Sequence, residues 1–207
     1  MLGLTKDDVA VQPKLAFIAY QVGTAFAGAQ LVESADPAGW PSNTKFIWLN
    51  TPGNPDGSVV SAARLWQAAE RARELSGVIL NDEHYAEMGW EAPCNDCIPC
   101  ILDPEVTGGD NTKILSIYSL SKQSNLAGYW AAFAAGDQSL IAKLVNLRMH
   151  SGTMPAMPVQ KTITAGLADH EHVATQKDTH RKRRDLLFPT LVEYGFEIED
   201  SEADLNL

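Results

Sequence analysis

Lys45-Phe46-Ile47-Trp48-Leu49-Asn50-Thr51-Pro52-Gly53-Asn54-Pro55-Asp56-Gly57 joins an apolar run to a cluster of turn formers. The segment 45–49 has the length and the aromatic and aliphatic content of a buried strand. Prolines and glycines from Pro52 onward cannot continue it, so the strand delivers its polar residues at its carboxyl end. Upstream, Val9-Ala10-Val11 and Gln30-Leu31-Val32 read as strands around a helix at about 18–28. Downstream, a helix spans about 61–76, with Leu65, Ala68, Ala69, Ala72 and Leu75 on one face and Arg64, Arg71 and Glu74 on the other. Gly77 suits the position just past its end.

The pattern then repeats. Val78-Ile79-Leu80 is a buried strand running into Asn81-Asp82-Glu83, and 114–118 is another, running into Ser119-Leu120-Ser121-Lys122. A further strand is expected over 130–134, then helices at about 138–150, 156–168 and 170–194. Strands alternating with helices predict an α/β fold with a mainly parallel sheet.

Composition narrows the function. The 207 residues carry 16 basic and 26 acidic side chains, a formal charge of −10, with 45% hydrophobic and 20% charged residues. Such a chain can bury a core but lacks the basic face of a nucleic-acid binder or of a protein adhering to anionic membranes. No apolar run approaches a membrane span of about 18 residues, and the first residues do not form a secretory signal, so the cytoplasm is expected. The basic run His180-Arg181-Lys182-Arg183-Arg184 reads as a solvated helix face, and His170 and His172 as surface residues beginning that helix. Cys94, Cys97 and Cys100 fall in one short loop. A structural zinc site takes four ligands and this loop offers three thiols, so no metal is assigned, although a metal or redox module there is a rival reading.

The chemistry collects at three strand ends: Asn54 at the first, Asp82 and Tyr85 at the second, Ser119 and Lys122 at the third. Ligands in open α/β sheets bind beyond the carboxyl ends of the strands. A partly desolvated lysine can attack an aldehyde. A buried carboxylate needs a cation, which a protonated pyridine nitrogen supplies. Asn and Tyr can donate to a phenolate and Ser to a phosphate. The set matches pyridoxal 5'-phosphate.

These residues also carry a family resemblance. The stretch 50–57 resembles the N-x-P-x-N-P-T-G motif of fold-type I, class I/II aminotransferases. Asp82-Glu83-His84-Tyr85 resembles their D-E-x-Y motif, and Ser119-Leu120-Ser121-Lys122 with Asn125-Leu126-Ala127-Gly128-Tyr129 resembles S-x-S-K…G-x-R-x-G. Within that family the wording is similar to the succinyldiaminopimelate transaminases. The resemblance implies a three-layer α/β/α large domain of the aspartate-aminotransferase type. Residues 1–168 would form part of that cofactor-binding domain, and 169–207 the linking helix and the start of the small domain. It implies that Lys122 bonds covalently to pyridoxal phosphate and then carries the proton between Cα and C4′. Asp82 would keep the pyridine nitrogen protonated, Asn54 and Tyr85 would hold the phenolate oxygen, Ser119 the phosphate, and Phe17 would stack on the ring. It further implies a homodimer acting on an amino acid, N-succinyl-diaminopimelate with glutamate, and a 2-oxo acid.

Three departures stand beside it. Where the family has a phosphate-binding arginine, eight residues after the lysine, this chain has Trp130. Losing a charged hydrogen bond costs about 1.5–3 kcal/mol, or roughly ten- to hundredfold in affinity. Asp56 replaces the usual threonine of the first motif. The family's N-terminal phosphate cup and its small-domain carboxylate arginine have no counterpart here, as if both ends were truncated. A non-catalytic relative with weak or no cofactor binding is therefore the alternative expectation.

Overall fold

A computed structural model of the chain describes residues 2–95, 97–198 and 201–205. The last residues assigned from sequence to the small domain, Asn206 and Leu207, lie outside the described residues, as do Glu199 and Asp200.

Six strands form one sheet: β1 (Val9–Gln12), β2 (Gln30–Glu33), β3 (Thr44–Asn50), β4 (Val78–Asp82), β5 (Ile114–Ser119) and β6 (Ala132–Gly136), in the order β2-β1-β3-β4-β5-β6. The first five pair in parallel, and β6 runs antiparallel to β5. The expected strand at 130–134 thus begins two residues later. Residues 127–129 form a tight helical turn, and Trp130 holds a left-handed φ of 50°, a conformation that cannot pair in a ladder.

The helices are α1 (Ile18–Ala27), α2 (Ala62–Leu75), α3 (Pro104–Thr107), α4 (Leu120–Gln123), α5 (Gln138–Ser151), α6 (Met157–Ala168) and α7 (His170–Glu193). Along each strand alternate side chains feed opposite faces. Val9, Val11, Ile47, Ile79 and Ile114 pack against Leu65, Ala68, Ala69 and Ala72 of α2, as its stripe requires. Phe46, Val78, Leu80 and Leu115 meet Leu140 and Ile141 of α5 on the other face. At the end of α2 it is Ser76, not Gly77, that takes the left-handed cap. Gly77 is needed for a different reason: a Cβ there would stand 2.8 Å from Ile47 Cδ1, inside the closed core.

Asp137 joins β6 to α5. Its carboxylate accepts from the backbone N–H groups of Lys113, Ser139 and Leu140 at 2.7, 2.7 and 3.1 Å. The Lys113 backbone bond, outweighing burial, holds its pKa down to about 2. Asp137→Ala is expected to cost about 1–2 kcal/mol in denaturant unfolding, the usual worth of a helix cap. Because the folded pKa lies below the unfolded value of 3.8, the parent keeps this contribution above about pH 4. It loses the contribution as pH falls toward 2, so the gap between parent and variant should close over that window.

The basic run on α7 is not simply a solvated face. Arg181 donates to the Trp90 carbonyl at 2.9 Å, and Arg184 to the Ser201 carbonyl at 2.8 Å, with both guanidiniums over the Trp90 ring. His172 is also more engaged than a surface residue, with its Nε2 2.7 Å from Ser124 Oγ. Residues 201–204 run back across the fold: Ala203 N donates to Gly57 O at 2.9 Å, and Asp204 N to Met88 O at 3.0 Å. Gly57 has a φ of 69°, and a Cβ on it would lie 2.5 Å from Ala203 O. Only glycine lets this crossing pass.

Candidate active site

Register places the site. Asn50 pairs with Asp82 across β3 and β4, and Asp82 pairs with Ile117 across β4 and β5, so three strand ends meet at one level. Beyond them opens a cleft of about 560 Å³, whose lining includes all six residues named from the sequence: Phe17, Asn54, Asp82, Tyr85, Ser119 and Lys122. Tyr20, Trp48, Asn50, His84, Ser121 and Trp130 join them.

Asp82 is the electrostatic centre. Its Oδ2 accepts from the buried Tyr20 hydroxyl at 2.6 Å, and its Oδ1 meets His84 Nδ1 and accepts from the His84 backbone N–H at 3.2 Å. Burial would push this carboxyl up, but the His84 bond and charge, with Tyr20, more than offset it and hold the pKa below the usual carboxylate range. Asp82 is therefore an anion at neutral pH. Burial, then the Asp82 charge, push the Tyr20 phenol far above its ordinary value, so it stays a donor. Tyr20 is fixed by stacking on Trp48, ring centroids 4.5 Å apart. Neither Tyr20 nor His84 was expected as a partner of Asp82. The available signal was their position: Tyr20 one turn beyond Phe17, and His84 inside the D-E-x-Y motif.

Lys122 lies on α4, directly after β5. Its Nζ stands 5.1 Å from the centroid of the buried Tyr85 ring. Asn54 is held by its turn: Asn50 Oδ1 accepts from Asn54 N at 2.9 Å, while Asn50 Nδ2 donates to the carbonyls of Pro52 and Asp82. Phe17 is 45% exposed at the mouth of the cleft and meets Tyr20 edge-on at 6.0 Å. Ser119 is only 3% exposed; its hydroxyl donates to Ala131 O at 2.9 Å and accepts from Ser121 N at 3.1 Å as the cap of α4. Ser121, which sequence reasoning passed over, also lines the cleft. Trp130 stands at the rim, 93% exposed.

Outside the cleft, Glu83 braces the cysteine loop. Its buried Oε1 accepts from Asn81 Nδ2 at 2.7 Å and from Ile101 N at 2.8 Å. Burial and the Glu83 charge push the Cys100 thiol up to about 12, so it is not a ready thiolate ligand. The three cysteines are free, and among the described residues no group of three His, Cys, Asp or Glu side chains is arranged to hold a metal. No helix among the described residues is long and apolar enough to cross a membrane.

The cleft thus combines an ionised buried carboxylate, a lysine amine, neutral donors and several ring faces. That donor set suits a flat, cationic heteroaromatic ring bearing an aldehyde.

Comparison with known proteins agrees. The family model of class I and II aminotransferases matches residues 2–206. The 4-dedimethylamino-4-oxo-anhydrotetracycline transaminase OxyQ of Streptomyces rimosus is 39% identical over all of this chain and 57% of its own length. The LL-diaminopimelate aminotransferase of Aquifex aeolicus is 27% identical over 97% of this chain and 54% of its own. Among solved structures, N-succinyldiaminopimelate aminotransferase from Mycobacterium tuberculosis superposes with a TM-score of 0.86 at 25% identity, over 98% of this chain and 56% of that one. The chain spans about half the length of the relatives it matches.

Proposed function

Because the chain belongs to the class I and II aminotransferases, enzymes that use pyridoxal phosphate, we propose that its cleft binds this cofactor and serves amino-group transfer. The observation that carries the proposal is the ionised Asp82, held by Tyr20 and His84 in the same cleft as the Lys122 amine. Asp82 would pair with the pyridine nitrogen and keep its proton in place. Asn54 and Tyr85 would hold the phenolate oxygen, Phe17 would cover the ring, and Ser119 and Ser121 would lie at the phosphate end. When bound, the cofactor supplies an aldehyde that bonds to nitrogen and a ring that accepts electrons. Lys122 Nζ would hold the cofactor and, once the substrate amine has displaced it, would take and return the proton of the substrate Cα. Trp48 and Tyr20 exclude water from the carboxylate side, which strengthens every charge contact there.

The substrate class is an amino acid and a 2-oxo acid, with N-succinyl-diaminopimelate and glutamate as the favoured pair. The similarity to the Mycobacterium tuberculosis enzyme supports that choice. In this reading residues 1–168 belong to the cofactor-binding large domain, 169–207 open the small domain, and the protein works as a homodimer in the cytoplasm. The test is direct: with pyridoxal phosphate, N-succinyl-diaminopimelate and 2-oxoglutarate, purified protein should form glutamate, and omitting the cofactor should stop it. Cofactor bound with no glutamate formed would favour a second reading, a non-catalytic relative, which the Trp130 indole at the rim motivates.

A further inference from the structure

We propose that this cleft recognises the pyridine ring and not its phosphate: a ring carrying a free 5′-hydroxymethyl group binds within about tenfold of its 5′-phosphate ester. The inference rests on the cofactor reading above and concerns the tail end of the same site.

Among the described residues lining the cleft, the lysine or arginine is Lys122 and the histidine is His84. The His84 ring is engaged by Asp82, and Lys122 Nζ stands over the Tyr85 ring. The rest of that wall is Ser119, Ser121, Trp130, Ala131 and Ala132, all neutral. The Ser119 hydroxyl is engaged by Ser121 Oγ at 2.8 Å and Ala131 O at 2.9 Å, and Trp130, 93% exposed, offers one neutral N–H. A phosphate leaving water recovers its hydration through charged, forked donors, whereas neutral donors return little net gain. The chain's charge of −10 adds a general repulsion of anions. The ring meets the opposite situation, with an ionised carboxylate, two phenols and an indole. The recognition energy is therefore concentrated on the ring.

The test is calorimetric titration of the full chain with pyridoxine and with pyridoxine 5′-phosphate, neither of which has an aldehyde for Lys122. Dissociation constants within about tenfold of each other are expected. Trp130→Arg should tighten the ester about ten- to hundredfold and leave pyridoxine unchanged. Trp130→Ala, which covers the case of a misfolded arginine variant, should leave the ratio as in the parent. An ester bound more than about tenfold tighter by the parent overturns the inference and leaves the cofactor reading standing. An unchanged ratio in folded Trp130→Arg, or a selective loss of the ester in Trp130→Ala, also overturns it. If neither ligand binds at millimolar concentration, both readings fall.

Discussion

Lys122→Ala protein, incubated with one equivalent of pyridoxal phosphate and then reduced with borohydride, should carry no more than traces of added cofactor mass. The parent chain should carry it on the peptide containing Lys122. The amine needs three things to be the preferred site: partial shelter from water, a fixed approach, and a ring-binding pocket within reach. Position gives the approach, since α4 begins directly after β5 and its cap, Ser119, is locked by bonds to Ser121 N and Ala131 O. The Tyr85 face, 5.1 Å from Nζ, gives the shelter. Asp82 and the surrounding rings provide the pocket. A surface lysine has none of these, so at equal stoichiometry it should label only in traces. Lys122→Arg is the control for charge, because arginine keeps the cation but cannot form the reducible bond. Both variants should lose glutamate formation to the blank rate. Labelling spread over other lysines in the parent, or undiminished in Lys122→Ala, would remove Lys122 from the proposed role.

How far the sequence carries this site depends on the range of the contacts. The strands and helices were readable because their apolar periods are local, and so was the convergence of Asn54, Asp82 and Lys122, since each closes or follows a strand of one parallel sheet. The antiparallel turn of β6 was not, because it depends on the left-handed Trp130 backbone and not on hydrophobic pattern. The Tyr20–Asp82 bond spans 62 positions, and no local rule announces which hydroxyl will reach a carboxylate so far away in sequence. The basic run on α7 failed as a solvated face for the same reason. Its partners, Trp90 and Ser201, are brought to it by the crossing of residues 201–204, which a helical charge pattern does not encode. Ser119 shows the converse limit: the motif places it at the cleft, but its hydroxyl is already engaged by Ser121 and, twelve positions away, by Ala131.

Asp82→Ala should have the second largest effect, and it separates charge from shape. The carboxylate is buried, yet its pKa is held below the usual range, because the bonds from His84 and Tyr20 more than offset the cost of burial. It therefore stays ionised at neutral pH, available to a cationic ring nitrogen. Removing it deletes a charge-assisted bond worth about 1.5–3 kcal/mol, so cofactor affinity should fall roughly ten- to hundredfold. Turnover should fall further, by about 10²–10³, because the charge acts most strongly when electrons move into the ring. Asp82→Asn tests the same point with the volume kept. The amide oxygen can still accept from Tyr20, but it brings no charge to a ring nitrogen. It should therefore bind and turn over nearly as poorly as the alanine variant. An asparagine variant that binds pyridoxal phosphate and turns over like the parent would show that shape, not the anion, holds the ring, and the charge assigned to Asp82 would have to be withdrawn.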